Sequence, residues 1–123
     1  MLFKVGIKPW LQNLEVYKRA VKDIKLSKEL NANCVEIHTG KISNLIKKNK
    51  IYKKELKKIK NAVKFAINVG LEVHAGHGMD YKTTKILSKI DGIKEFNIGH
   101  FIIGESIFVG LKQTIKIFKN ICK

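Results

Sequence analysis

A parallel α/β fold is predicted for this 123-residue chain by three observations. Short apolar or β-branched runs recur and end in polar, glycine-flanked groups: Val35-Glu36-Ile37-His38-Thr39-Gly40, Ala75-Gly76-His77-Gly78 and Asn97-Ile98-Gly99-His100. Stretches with helical periodicity lie between those runs, so helix and strand alternate along the chain, the pattern of parallel strands joined by helical crossovers. The runs also have two different faces. Val35 and Ile37, Val73, and Phe96 and Ile98 point one way, while Cys34, Glu36 and His38, Glu72 and His74, and Glu95 and Asn97 point the other.

Taken in order, the elements are these. Phe3 to Ile7 is ambiguous, with a strand as one reading and Pro9 as its end. Leu14 to Leu30 reads as one or two helices, with Leu14, Tyr17, Val21 and Ile24 at helical spacing and Leu26 and Leu30 four apart. Asn31-Ala32-Asn33 is a turn, Cys34 to His38 a strand, and Thr39-Gly40 its end. Leu56, Ile59, Val63 and Ile67 recur at steps of three or four and make an amphipathic helix, with Gly70 as its natural C′ residue. Leu71 to Ala75 is the next strand and Thr83 to Ile90 a short helix. Asp91-Gly92 turns into a strand over Ile93 to Ile98. Phe101 to Ile121 is helical in character, with Gly104 and Gly110 marking breaks or close packing.

Composition narrows the function. The formal net charge of +15 attracts nucleic acid, acidic lipid or phosphorylated metabolites. Nucleic acid is not expected as a partner, because Arg19 is the only arginine and no aromatic residues alternate with the lysines as stacking platforms. The lysine run from Lys47 to Lys60 reads as the solvated face of a helix. No apolar run approaches the roughly 20 residues of a membrane span, and Lys4 and Lys8 interrupt any signal-like stretch. Two cysteines without paired spacing suit a reducing, cytoplasmic setting, with Cys34 a buried structural thiol.

The carboxylates on the second face are the clue to architecture. A sheet covered by helices on both sides prefers apolar residues on both faces, and buried carboxylates need partners or a wet cavity. A barrel interior with a polar mouth meets that need better than an open sheet. A complete barrel of eight βα units takes roughly 250 residues, so this chain can supply only part of one.

Three motifs together, Glu36-Ile37-His38-Thr39-Gly40, Ala75-Gly76-His77-Gly78-Met79-Asp80-Tyr81, and Glu95-Phe96-Asn97-Ile98-Gly99-His100-Phe101-Ile102-Ile103-Gly104, resemble the pyridoxine 5′-phosphate synthase family. The resemblance runs from about Asp23 to the C-terminus, and residues 1–22 match the family poorly. It implies a partial (β/α)₈ TIM barrel, its C-terminal βα units with parallel strands, forming a single unit over residues 1–123. It also implies a cytoplasmic enzyme of vitamin B6 biosynthesis, octameric in the family. That enzyme condenses 3-amino-2-oxopropyl phosphate with 1-deoxy-D-xylulose 5-phosphate to give pyridoxine 5′-phosphate, phosphate and water.

Carried over by position, Glu36 matches the glutamate that stabilises the transition state and His77 the proton donor. Gly78, Gly99 and His100 match residues that hold the amino-ketone phosphate. No metal or organic cofactor is implied. Histidine suits repeated proton transfer because it titrates near neutrality. A carboxylate stabilises developing positive charge, and a helix starting near Phe101 would turn its positive end to the phosphate. Glu105 stands where the family commonly has arginine, and His74 where it usually has asparagine; His74 reads as a polar interior side chain. The family's first half is not in this sequence, so the chain looks truncated and is expected to be inactive alone. It is expected to pair with a copy of itself or with a separate N-terminal half, or else to be unstable, because an open half-barrel exposes strand edges and apolar interior. Two other readings remain. One is a metal-dependent TIM-barrel hydrolase gathering His38, His74, His77 and His100 around zinc. The other is a non-catalytic basic binding module.

Overall fold

The computed structural model describes residues 4–7 and 14–123, with side chains from Ala20 onward. Four parallel strands stand in the order β1-β2-β3-β4, so each is paired with its neighbour in sequence. They are β1 (Lys4–Ile7), β2 (Cys34–His38), β3 (Glu72–Gly76) and β4 (Ile93–Asn97). The helices are α1 (Leu14–Glu29), α2 (Gly40–Lys47), α3 (Lys53–Asn68), α4 (Tyr81–Leu87), α5 (His100–Val109) and α6 (Leu111–Ile121). Sequential pairing of parallel strands, each followed by helix, is how a βα barrel is laid down.

Most expected elements are present, with shifted ends. The ambiguous first segment includes a strand, while Pro9 lies outside the described residues. Leu14 to Glu29 is a single helix. The helix expected from Thr83 to Ile90 instead occupies Tyr81–Leu87, because Asp80 is its N-cap and accepts the Thr83 N–H at 2.8 Å. The last helical stretch breaks at Gly110, which takes φ +85°; Gly104 lies inside α5. Gly70 does sit at C′ of α3 with φ +80°, and the Leu71 and Gly70 N–H groups close onto the Ala66 and Ile67 carbonyls. Asn31, at φ 59°, ends α1 in the same way.

One element goes beyond the sequence expectation. Residues that read as the end of a strand and the start of a lysine run form the helix α2. Ile42 and Ile46, one turn apart, are buried, and Lys41 reaches the buried Glu55 of α3 at 3.2 Å.

The core lies between the apolar face of the strands and the helices α1 to α4. Ile24, Val35, Ile42, Ile46, Ile59, Val63, Val73 and Leu87 are all fully buried in it. The opposite face carries Glu36, His38, Glu72, His74, Gly76, Glu95 and Asn97, in line with the alternation of the sequence. Between Val73 and His74 the β3–β4 register shifts, so that His74 faces Glu95 and Gly76 faces Asn97. The buried Cys34 is a free thiol, as is Cys122.

Candidate active site

The three motifs end β2, β3 and β4 at the same edge of the sheet, and their residues meet in one cavity of about 870 Å³. Glu36, His77, Gly78, Gly99 and His100, the five residues expected to form a site, all line it. Lys47, Asn97 and Glu105 line it as well.

Glu36 projects from the middle of β2 across β3. Nothing but a glycine at position 76 lets it pass: a Cβ there would stand 2.5 Å from Glu36 Oε1. Beyond Gly76, the Asn97 side-chain amide of β4 donates to Glu36 Oε2 at 2.5 Å. The carboxylate is therefore held across two strands, its charge facing the cavity. A hydrogen bond to a charged group is worth about 1.5–3 kcal/mol, so Asn97 matters to where this carboxylate sits. In the sequence Asn97 is only one letter of a motif. Its link to Glu36 depends on strand register, which no single segment reveals.

His77 follows the last residue of β3 with φ +90°, and Gly78 continues at +71°. For a residue with a Cβ such a backbone costs on the order of 1–3 kcal/mol and persists only where surrounding contacts hold it. The imidazole leaves the chain toward the cavity and stacks on His38, with ring centroids 4.3 Å apart and planes at 29°. His38 in turn accepts the Gly40 N–H on Nδ1 at 3.3 Å.

Gly99 caps α5 and His100 is its first residue. Among the described residues nothing lies within 4 Å of where a Cβ on Gly99 would be, and Gly99, His100 and Phe101, at the start of α5 where N–H groups have no helical partner, all line the cavity. Glu105 stands one turn further along the same helix.

Deeper in the sheet, His74 is 4% exposed and lies between two carboxylates. Its Nε2 is 2.7 Å from Glu72 Oε1, and its Nδ1 is 3.7 Å from Glu95 Oε1, too far for a hydrogen bond. Of the three carboxylates on this face, Glu36 is partly buried and partnered by Asn97, whereas Glu72, beside His74, and Glu95 are both exposed to solvent. The four histidines do not converge. Among the described residues no three His, Cys, Asp or Glu side chains are grouped to hold a metal ion, and the zinc hydrolase reading gains nothing from this arrangement. The lysine run does not behave uniformly. Most of it is solvated, but Lys47 turns back to the cavity and donates to the Gly78 carbonyl at 2.8 Å.

The model of the pyridoxal phosphate biosynthesis protein PdxJ family matches residues 17–123. The chain belongs to this family. It is 69% identical over 101 residues to a protein of Pelagibacter ubique named pyridoxine 5′-phosphate synthase, covering 82% of this chain and 42% of that protein. Proteins of the same name from a Sulfurihydrogenibium species and from Thermodesulfovibrio yellowstonii are 44% and 40% identical, over 81% and 82% of this chain. The chain spans about two fifths of the length of these PdxJ relatives. No helix among the described residues is long and apolar enough to cross a membrane.

Proposed function

We propose that this chain forms the part of a pyridoxine 5′-phosphate synthase that holds the amino-ketone phosphate and delivers protons to it. One observation carries the reading: residues from the ends of three strands, each matching a family position, line a single cavity. In this reading the phosphate of 3-amino-2-oxopropyl phosphate sits against Gly99 and His100 at the start of α5, where backbone N–H groups and the helix dipole favour an anion. The Gly78 backbone, open on its cavity side, takes a further oxygen. His77, exposed at the cavity wall, gives its proton to the oxygen that leaves as water during condensation with 1-deoxy-D-xylulose 5-phosphate. Glu36, fixed by Asn97, faces the cationic character that develops on the carbon–nitrogen framework as the ring closes. These steps call on no metal or cofactor. Glu105 places a carboxylate on α5 beside the phosphate, which tunes affinity downward relative to a cation there.

The assembly is part of the proposal. β4 stands at one end of the strand order, and α5 exposes Ile103, Ile107 and Phe108. A closed barrel needs another strand on β4 and a cover for α5, supplied by a second copy or a separate N-terminal half. The setting is the cytoplasm.

Calorimetric titration of the purified chain with 3-amino-2-oxopropyl phosphate, or a stable phosphate analogue, tests the reading. Saturable binding that is lost in His77→Ala and Gly99→Ala is expected. A folded wild-type chain that takes up no ligand would remove the proposal and turn attention to the basic-module reading. Strongly salt-dependent nucleic-acid binding would then be its signature.

A further inference from the structure

The turn that carries His77 is gripped from one side by a single stripe of donors. Thr39, Ser43 and Lys47 stand four residues apart, from the N-cap of α2 to its last turn, and so share one helix face. The Thr39 N–H donates to the Gly76 carbonyl at 2.7 Å, and the Thr39 hydroxyl is 2.8 Å from both the Gly76 and the His77 carbonyl oxygens. One hydroxyl proton serves these two acceptors alternately or as a three-centre bond. Ser43 Oγ donates to the Thr39 carbonyl at 2.7 Å and stands 3.5 Å from the His77 carbonyl. Lys47 Nζ completes the row on the Gly78 carbonyl at 2.8 Å.

Three consecutive carbonyls, 76 to 78, therefore meet donors of the same helix, around His77 and Gly78, both of which have positive φ. The fit leaves little slack. A Cβ on Gly78 would stand 3.3 Å from Gly40 Cα and 3.4 Å from Ser43 Cβ. The opposite side of the turn presents the His77 ring to His38, and α2 reaches that ring too, through the Gly40 N–H on His38 Nδ1.

We propose that Thr39, Ser43 and Lys47 are positioning residues for His77. Their donors fix the carbonyls of residues 76–78, and that fixes the imidazole against His38 and into the cavity. The value of this to catalysis rests on the reading of His77 as proton donor; the positioning itself does not. Lys47 is the informative member, because it is exposed and its loss leaves the buried core untouched.

The test is the ring-to-ring nuclear Overhauser contact between His38 and His77 in the full chain labelled at histidine, with each ring assigned by His38→Gln and His77→Gln. Loss of the contact is expected in Thr39→Val and in Lys47→Met, and its retention in Thr39→Ser and Lys47→Arg, with the Val35 and Val73 methyl signals unmoved. Folded Thr39→Val and Lys47→Met chains that keep the contact at wild-type intensity would overturn the proposal. Should Thr39→Val fail to fold, Lys47→Met and Ser43→Ala decide the matter by the same readout. The contact is read without substrate, so a failed ligand titration counts against the synthase reading alone.

Discussion

Around β2 and β3 the hydroxyls behind the cavity wall are buried and bonded, although His77 and Lys47 themselves reach solvent. Thr39 and Ser43 are wholly out of solvent and tied to backbone carbonyls, and Ile42, Ile46, Val63 and Val73 seal the layer behind them. Around β4 and α5 the chain is open. None of the residues of α5 is buried; Ile107 is 79% and Phe108 84% exposed, and β4 has no fully buried residue. The candidate site spans both regions. His77 and Glu36 belong to the closed side, where geometry is set by packing. Gly99 and His100 belong to the open side, where the backbone offers its N–H groups but little holds it from outside. The difference teaches that the two halves of the proposed site are held differently: the Glu36 and His77 side is organised by contacts within the described residues, whereas the Gly99 and His100 side lies on a helix with no buried residue.

The same substitution placed on each side measures the contrast. Ile59→Ala in α3 removes a side chain that is 1% exposed and is expected to cost about 2–5 kcal/mol. Ile107→Ala in α5 is expected to change stability by no more than about 0.5 kcal/mol. Urea unfolding of both variants checks this. Equal losses would mean that α5 is covered in solution, which would place the partner on the apolar helix.

Glycine gives a second pair, smaller and opposite in sign. Gly76→Ala drives a methyl group into the Glu36 carboxylate, with an expected cost of about 1–3 kcal/mol and weaker ligand binding by calorimetry. Gly104→Ala meets nothing within 4 Å among the described residues and replaces a glycine inside a helix, with an expected gain of about 0.4–1 kcal/mol in thermal unfolding. A loss at Gly104 would blur the distinction between the two sides.

The smallest effect is electrostatic. Burial holds the Lys58 ammonium below its ordinary value, with Glu55 pulling it back up and Lys41 and Lys54 adding to the depression. The folded chain thus gives up this proton before the unfolded chain does. In the window just below the ordinary lysine value of 10.5 the unfolded state binds more protons, and stability rises with pH. Measured against Lys58→Gln, the wild-type chain is expected to gain stability through that alkaline range; a flat difference would show that Lys58 is as well hydrated as the lysines on the outer surface.

What is legible in the sequence is what repeats locally. Cys34 to His38 and Glu95 to Ile98 alternate with period two, Leu56 to Ile67 keeps a helical stripe, and three motifs of chemistry-bearing residues sit where the strands stop. The five expected site residues share a cavity because parallel strands end on one side. What stays hidden is non-local or too short to show a period. Helix α2 has eight residues and begins with a glycine, so its apolar positions are lost beside the lysines that follow. Lys47 reads as one cation in a run until the Gly78 carbonyl is placed next to it. The partnership of Asn97 with Glu36 needs two registers at once.

The irregularity in β4 has a further consequence. Ile93 pairs with Val73 and Glu95 with His74, so Lys94 is a supernumerary residue in the ladder. Ile93 and Phe96 both pack against the core, although they are three apart, an odd step that an unbroken strand would send to opposite faces. The extra residue absorbs that step. Were the ladder to run unbroken through Lys94, each later residue would pair one place further along, and Phe96, not Asn97, would stand opposite Gly76. Neighbouring side chains of a strand point to opposite faces, so the slip would set a phenyl ring beside the Glu36 carboxylate and swing Asn97 into the greasy layer under the helices. The carboxylate's partner would vanish without a change in one letter of the three motifs. In this strand the spelling of the candidate site is kept in phase by a spacer.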